Sequence, residues 1–531
     1  MNLFREGRRK RLPVVAFAGA LFAFQALTLI GAQVAQAAVT CTYASGVVTV
    51  TMGAGDTAAF TVGASNAILV NGAACGAANL NNTTAINVTG STGAETVSID
   101  INEDWGTINW TINLASEGAG TADVVDLDGS LATTDLTVDA GANGVDLNGD
   151  GDLDATLTGV EELDVEGGSG DDTISGAGST VTGGPTTIDM VVDAGTGTNT
   201  VSGGAGDDDL TCGSTTSIVD YSAFTAAIVD LGAGTGTATG AGSDTLTGCE
   251  NVVGTPGNDT LTGDGLDNTF WPGEGDDTVD GAVGSDTADY SNVTGPVTYD
   301  TSTGKITGAG TDTIKNVETF VGTDAEDVVD ASAETVGVTI DLTAAGNFVS
   351  FEDAIGSEFN DTIIGNSVRN KLWGKGGDDM IDGDGGNDTI YPGAGNDDVI
   401  GGTGSDTVSY QDATARVQVN LATQDVSSSE GDDTLNSIEN ATGSPFSDSL
   451  VGDGGSNLLK GGKGNDNVRA GGGDDTLKGG SGKDRLRGGS GDDDLFGGPG
   501  NDYLDGGSGS DFCKGGPGKD TKKRCEGGGR K

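Results

Sequence analysis

An all-β fold, a parallel solenoid wound from short rungs, is the class that this 531-residue chain predicts. Three observations carry it. From Gly443 to Lys523 the sequence repeats every nine residues, and from Gly461 the copies are GGKGNDNVR, AGGGDDTLK, GGSGKDRLR, GGSGDDDLF, GGPGNDYLD, GGSGSDFCK and GGPGKDTKK. A fixed short period marks a stacked repeat in which each unit contacts only its neighbours. The eighth position is apolar in successive copies (Val468, Leu477, Leu486, Leu495, Leu504), as one inward side chain per short strand requires. Finally, 96 glycines and 5% aromatics argue against a conventional packed core, whereas a thin core fed by one side chain per rung fits. A disordered Gly/Asp-rich tail is the alternative. It gives no reason to keep an apolar residue at every eighth position.

The spacing has a physical reading. Six residues, GGxGxD, make a turn and the next three a strand; two repeats complete a coil, so rungs two repeats apart stack at roughly 4.8 Å. Glycine serves the turn because positive φ and close backbone approach leave no room for a Cβ. The pattern resembles the hemolysin-type calcium-binding (RTX) repeat proteins of the secreted bacterial type, over roughly two-thirds of the chain, and seven near-perfect copies make the match specific. The resemblance implies a parallel β-roll with Ca2+ between its coils. It also implies ligation by the sixth-position carboxylates Asp466, Asp475, Asp484, Asp493, Asp502 and Asp511. The same position in the earlier copies gives Asp172, Asp208, Asp259, Asp277, Asp286, Asp361, Asp379, Asp388, Asp397 and Asp406. Calcium is a hard cation that takes six to eight oxygens, so turn carbonyls plus aspartate suit it.

Charge and composition bound the function. With 81 acidic and 25 basic residues the formal net charge is -56, which works against a nucleic-acid partner. There is no histidine, which removes Ser-His-Asp and Cys-His catalysis, HExxH proteases and most zinc sites. The catalytic heads that accompany RTX tails in secreted proteases and lipases therefore have no counterpart here.

In chain order, residues 1–37 read as a secretory signal: a basic start (Arg5, Arg8, Arg9, Lys10, Arg11), an apolar run from Val14 to Ile30 and an Ala35-Gln36-Ala37 cleavage site. A signal anchor is the alternative, since the apolar run approaches membrane-spanning length. No later stretch is apolar enough to span a bilayer. Residues 38–130 form a β-rich region without nonads, in which Gly46–Met52 and Thr107–Leu114 alternate as half-buried strands do. An N-terminal β cap is expected there, as part of the solenoid or as a small sandwich.

Residues 131–253 form a degenerate solenoid with isolated nonads at Gly167 and Gly203. Within it, Asp146 to Asp154 has the D-x-N-x-D-G oxygen spacing, but Leu157 stands where an EF-hand needs its bidentate Glu. A calcium-binding turn and a solvated acidic turn both remain open. Residues 254–355 and 356–442 each form a nonad block followed by a β spacer, and 443–531 form the last roll. Each long block's second rung carries Asn at position six: Asn268, Asn370 and Asn457. These uncharged rungs weaken binding or cap a roll, unless they are drift. Spacers open on S-D-T-x-x-Y (Ser285 to Tyr290, Ser405 to Tyr410) and close on segments such as Asp244–Asn251 and Asp433–Asn440.

The six cysteines, an even count beyond the cleavage site, favour disulfides in an exported chain. Of the fifteen possible pairings, Cys41–Cys75, Cys212–Cys249 and Cys513–Cys525 are the simplest set. Lys460, Arg469, Lys478, Arg487, Lys514 and Lys523 occupy position nine, as two basic ladders or as local charge balance. The expected protein is secreted or at the cell surface and not an enzyme. It binds calcium and serves a structural or adhesive role, with an anionic surface polymer or glycan as the further partner. A calcium-dependent polysaccharide-active enzyme with a carboxylate-only site on a β-helix is the alternative.

Overall fold

The computed structural model describes residues 39–526 apart from 54, 63–66, 91–93, 102–108, 115–122, 133–135, 148–152, 159, 180–181, 215, 233–235 and 241. The signal segment and most of the acidic loop around Asp150 therefore lie outside the described residues. Among the described residues there is no helix, and none long and apolar enough to cross a membrane.

Strands two repeats apart pair in parallel. Leu459 lies beside Leu477, and Leu477 beside Leu495, in one sheet. Val468, Leu486 and Leu504 form the equivalent row in the opposite sheet. All six of these side chains have 0% exposure. The eighth-position rule follows from the pleat: in a three-residue strand the middle side chain points one way and its two flanks the other. The longest sheet runs from Thr57–Val62 to Phe512–Lys514. Facing strands belong first to a fifteen-stranded sheet ending at Phe348–Val349 and then to a twelve-stranded one beginning at Thr339–Asp341. Near this handover, where residues 322–330 (GTDAEDVVD) keep the sixth-position Asp327 but lack glycine at positions two and four, Tyr299, Phe320 and Phe348 fill the interior with ring centroids 4.1 to 5.8 Å apart.

The N-terminal region is solenoid, with larger coils: Val97, Val125 and Leu163 stack in one parallel row. Its outer end is closed by antiparallel strands. Thr40–Ala44 pairs with Val47–Thr51, and Ala67–Val70 lies between Thr57–Val62 and Ala73–Asn79. The Cys41–Cys75 disulfide ties these elements together. Such a cap hides the edge that a stack of parallel strands would otherwise expose.

At the other end, Cys513 takes the inward position and bonds to Cys525. The next inward position is Lys522, whose ammonium donates to the Cys513 carbonyl at 2.9 Å. Cys212–Cys249 is the third bridge.

Candidate metal sites

Within each turn the sixth-position aspartate folds inward. All sixteen expected ligands are buried, none above 3% exposure. Position one is tight against that carboxylate in the copies headed by glycine: a Cβ on Gly479 would lie 2.6 Å from Asp484 Oδ2, and one on Gly488 would lie 2.1 Å from Asp493 Oδ2. Pro272, Pro392 and Ala470 head the turns of Asp277, Asp397 and Asp475 instead. Position four faces the same constraint from the backbone. A Cβ on Gly482, at φ 143°, would fall 1.4 Å from the Gly464 carbonyl oxygen, and one on Gly500 would fall 1.5 Å from that of Gly482. Turn carbonyls are thus aimed along the roll at the next turn.

The aspartates are linked in files. Within a file, Oδ1 accepts the backbone N–H of the sixth residue one coil earlier: Asp466 N–H to Asp484 at 2.9 Å, Asp484 N–H to Asp502 at 2.9 Å, Asp475 N–H to Asp493 at 3.0 Å. The other oxygen is the informative one. In Asp277, Asp286, Asp379, Asp388, Asp397, Asp406, Asp466, Asp475, Asp484, Asp493 and Asp502, Oδ2 is buried with no hydrogen-bond partner. A buried anionic oxygen without a partner is costly and calls for a cation. Without one, burial above all, reinforced by the next carboxylate in the file, pushes Asp277 and Asp379 up to about 8 and Asp466 up to about 7. Among the described residues no three acidic or thiol side chains gather as a metal cluster, so most ligand oxygens would have to come from turn carbonyls. That donor set suits a hard cation.

The files have defined ends. In three blocks the first rung has Ser or Thr at position two, and its N–H occupies the oxygen left bare elsewhere. Thr255 N–H meets Asp259 Oδ2 at 2.5 Å, and Ser357 N–H meets Asp361 Oδ2 at 2.6 Å. Their hydroxyls donate to the same carboxylates at 2.8 and 2.9 Å. Asp448 is held in the same way by Ser444. Asp208 Oδ2 likewise accepts the Gly204 N–H at 2.7 Å. Two further expected ligands accept backbone N–H groups at Oδ1, Asp172 from Leu136 at 2.8 Å and Asp511 from Asp493 at 3.0 Å.

The asparagine rungs begin the second file of each block. Asn268, Asn370 and Asn457 donate through Nδ2 to the carbonyls of Glu250, Glu352 and Glu439 at 2.8, 2.6 and 2.8 Å. A carboxylate could not make that bond, so these residues cap.

At the far ends the reading from sequence missed a partner. Tyr221, Tyr290 and Tyr410 are buried, and their hydroxyls donate to Asp244, Asp312 and Asp433 at 2.9, 2.7 and 2.6 Å. Each of these aspartates accepts, through its other oxygen, the N–H of the last sixth-position residue in its file: Asp208, Asp277 and Asp397. A neutral hydroxyl thus occupies the oxygen that stays bare within the files. For Tyr290 and Tyr410 the signal was present in two halves, the tyrosine ending S-D-T-x-x-Y and the aspartate opening the closing segment; Tyr221 ends no such motif. Only folding joins them.

The position-nine cations form the two expected files, each interrupted. Lys460, Lys478 and Lys514 share a ladder with Phe496; Arg469, Arg487 and Lys523 share one with Asp505, which is paired to Arg524 at 2.7 Å.

A parallel β-roll wound from nine-residue rungs, with files of half-satisfied aspartates inside it, defines a class, the β-solenoid repeat proteins. The RTX calcium-binding nonapeptide repeat matches residues 164–179, 191–214, 253–288, 355–390, 373–408, 442–477, 478–513 and 487–521. These blocks of the chain are calcium-binding repeats of that kind. The matched stretches are the nonad blocks, and the spacers and the N-terminal coils lie outside them, so the match is narrower than two-thirds of the chain. No curated protein matches this sequence.

Proposed function

We propose that this is an exported, non-enzymatic RTX protein. Its roll folds as calcium binds, and it then serves as a rigid structural or adhesive element at the cell surface. The observation that carries the reading is the set of eleven buried aspartates whose Oδ2 lacks a partner. These residues, from Asp277 to Asp502, are the strongest of the proposed calcium ligands. Asp208, Asp259 and Asp361, whose second oxygen is already hydrogen-bonded, are the weaker ones. The capped file ends near Asp259, Asp361 and Asp448 support modules beginning at residues 254, 356 and 443.

Export is supported by the basic and apolar N-terminal pattern and by three disulfides, which persist in oxidising compartments. The two position-nine files offer an anionic surface polymer a row of cations on each face. Binding to such a polymer that survives replacing all six by Gln would remove that partner.

Calorimetric titration of the EGTA-stripped full chain with calcium, followed in parallel by circular dichroism, tests the central claim. β signal and heat should saturate together. At about pH 8, where the buried aspartates lose their protons, a β spectrum indifferent to EGTA would overturn it.

A further inference from the structure

The outer face of the second block carries a feature that calcium does not explain. There, position nine holds Trp373 and Tyr391 on successive coils of one ladder. Strand stacking lays the rings flat on each other, centroids 4.9 Å apart and planes 5° apart, and both are only half-buried. The register of the next coil places Ser409 after Tyr391. Serine cannot continue the stack, and a pocket of about 320 Å³ opens at this step, lined by both rings, Lys375, Ser409, Asp412, Thr414 and Glu430 among others. That volume lies at the small end of ligand sites.

The far wall is built rather than loose. The N–H of Thr414 donates to Glu430 at 3.1 Å, and its hydroxyl bonds the same carboxylate. Asp412 stands near the Tyr391 phenol, where, after burial, its charge is the next cause that raises the phenol's pKa. In the first block the corresponding aromatic, Trp271, stands alone, because its ladder continues to Asp289.

Flat aromatic faces beside carboxylates and hydroxyls are the two halves of one kind of recognition. The C–H face of a pyranose stacks on the rings while its hydroxyl edge donates to the acceptors. A purely apolar guest would strip water from Asp412 and Glu430 without replacing it, and an anionic guest would meet two carboxylates against the single ammonium of Lys375. We propose that the step between Tyr391 and residues 410–414 binds a neutral hexopyranose unit of a polysaccharide. The proposal deepens the surface-contact reading and rests on it only for biological setting; the site itself needs no more than a folded roll.

The test is saturation-transfer NMR with calorimetry on the full chain in excess calcium. The probes are cellohexaose, maltohexaose and laminarihexaose, with heparin and tetramethylammonium as controls. At least one neutral hexaose should bind. Tyr391→Ala, which removes the ring, and Ser409→Phe, which fills the step, should each weaken it about tenfold or more. Calcium stoichiometry and circular dichroism should not change, which keeps this outcome separate from any failure of the calcium reading. Three results would overturn the assignment: no hexaose binding, binding that both variants retain, or displacement of the hexaose by tetramethylammonium. Binding of heparin alone would also overturn it and point to the position-nine cations.

Discussion

Asn370 and Asp388 occupy the same position in successive rungs of one file, yet their chemistry differs in sign. The amide of Asn370 donates to the Glu352 carbonyl, while Asp388 holds a bare oxygen. Asn370→Asp should therefore set acceptor against acceptor and destabilise the second block by about 1–3 kcal/mol. Thermal melts in saturating calcium would show it, whereas a more stable variant with one extra bound ion would make Asn370 a lost site instead of a cap. Tyr410→Phe strips the donor from Asp433 and should cost a similar ~1–3 kcal/mol. The number of calcium ions measured by calorimetry should stay the same, since the hydroxyl occupies a place no ion takes. Asp484→Ala should do the reverse. It removes one proposed ligand and the acceptor for the Asp466 N–H, so calcium binding in the last block should weaken beyond a single site.

At the scale of the element, the turn is set by what lies behind it. Gly482→Ala would drive a methyl into the Gly464 carbonyl oxygen and force φ 143° on an alanine, so the last block should lose its cooperative calcium-induced transition. The terminal disulfide acts on the unfolded chain. Cys513 and Cys525 are 12 residues apart in sequence. Replacing both by Ser should lower stability by roughly 2–3 kcal/mol. A non-reducing peptide map that shows Cys525 free would remove the bridge altogether.

For the whole molecule, proton and calcium compete for the same oxygens. In the calcium-free roll the buried aspartates are raised, Asp277 and Asp379 to about 8 and Asp484 to about 6, from an unfolded value near ~3.9. A raised acid stabilises the folded state fully below its unfolded pKa, and that contribution fades as pH climbs through the folded value. The EGTA-treated chain should hence keep most β structure near pH 4 and lose it between about pH 6 and 8. Calcium needs the deprotonated form, so its affinity should fall as pH drops through that same window, with protons released on binding. Circular dichroism against pH, with and without calcium, checks both arms. At a calcium concentration tenfold above its dissociation constant each site contributes about 1.4 kcal/mol, and several sites together rival the ~5–15 kcal/mol net stability of a domain.

What the sequence determined by itself was the period and everything the period enforces. Leu477 and Leu495 had to meet, because a rung has a single inward side chain and its neighbours stand two repeats away. The glycine-rich turn and the carboxylate at position six followed from the same local rules, whereas the cysteine pairing, one of fifteen open to the sequence, was settled by the fold. Tertiary structure decided which aspartates are left wanting a cation. Asp259 and Asp277 read alike in sequence, but Thr255 folds onto the first while the second has one oxygen bare. The Tyr410–Asp433 bond and the step beside Tyr391 also arise between residues that only the stacking of coils brings together. A nine-residue pattern specifies what each rung offers. Which offers are met depends on the coil above and the coil below, and in the spacers the nine-residue period does not set that distance.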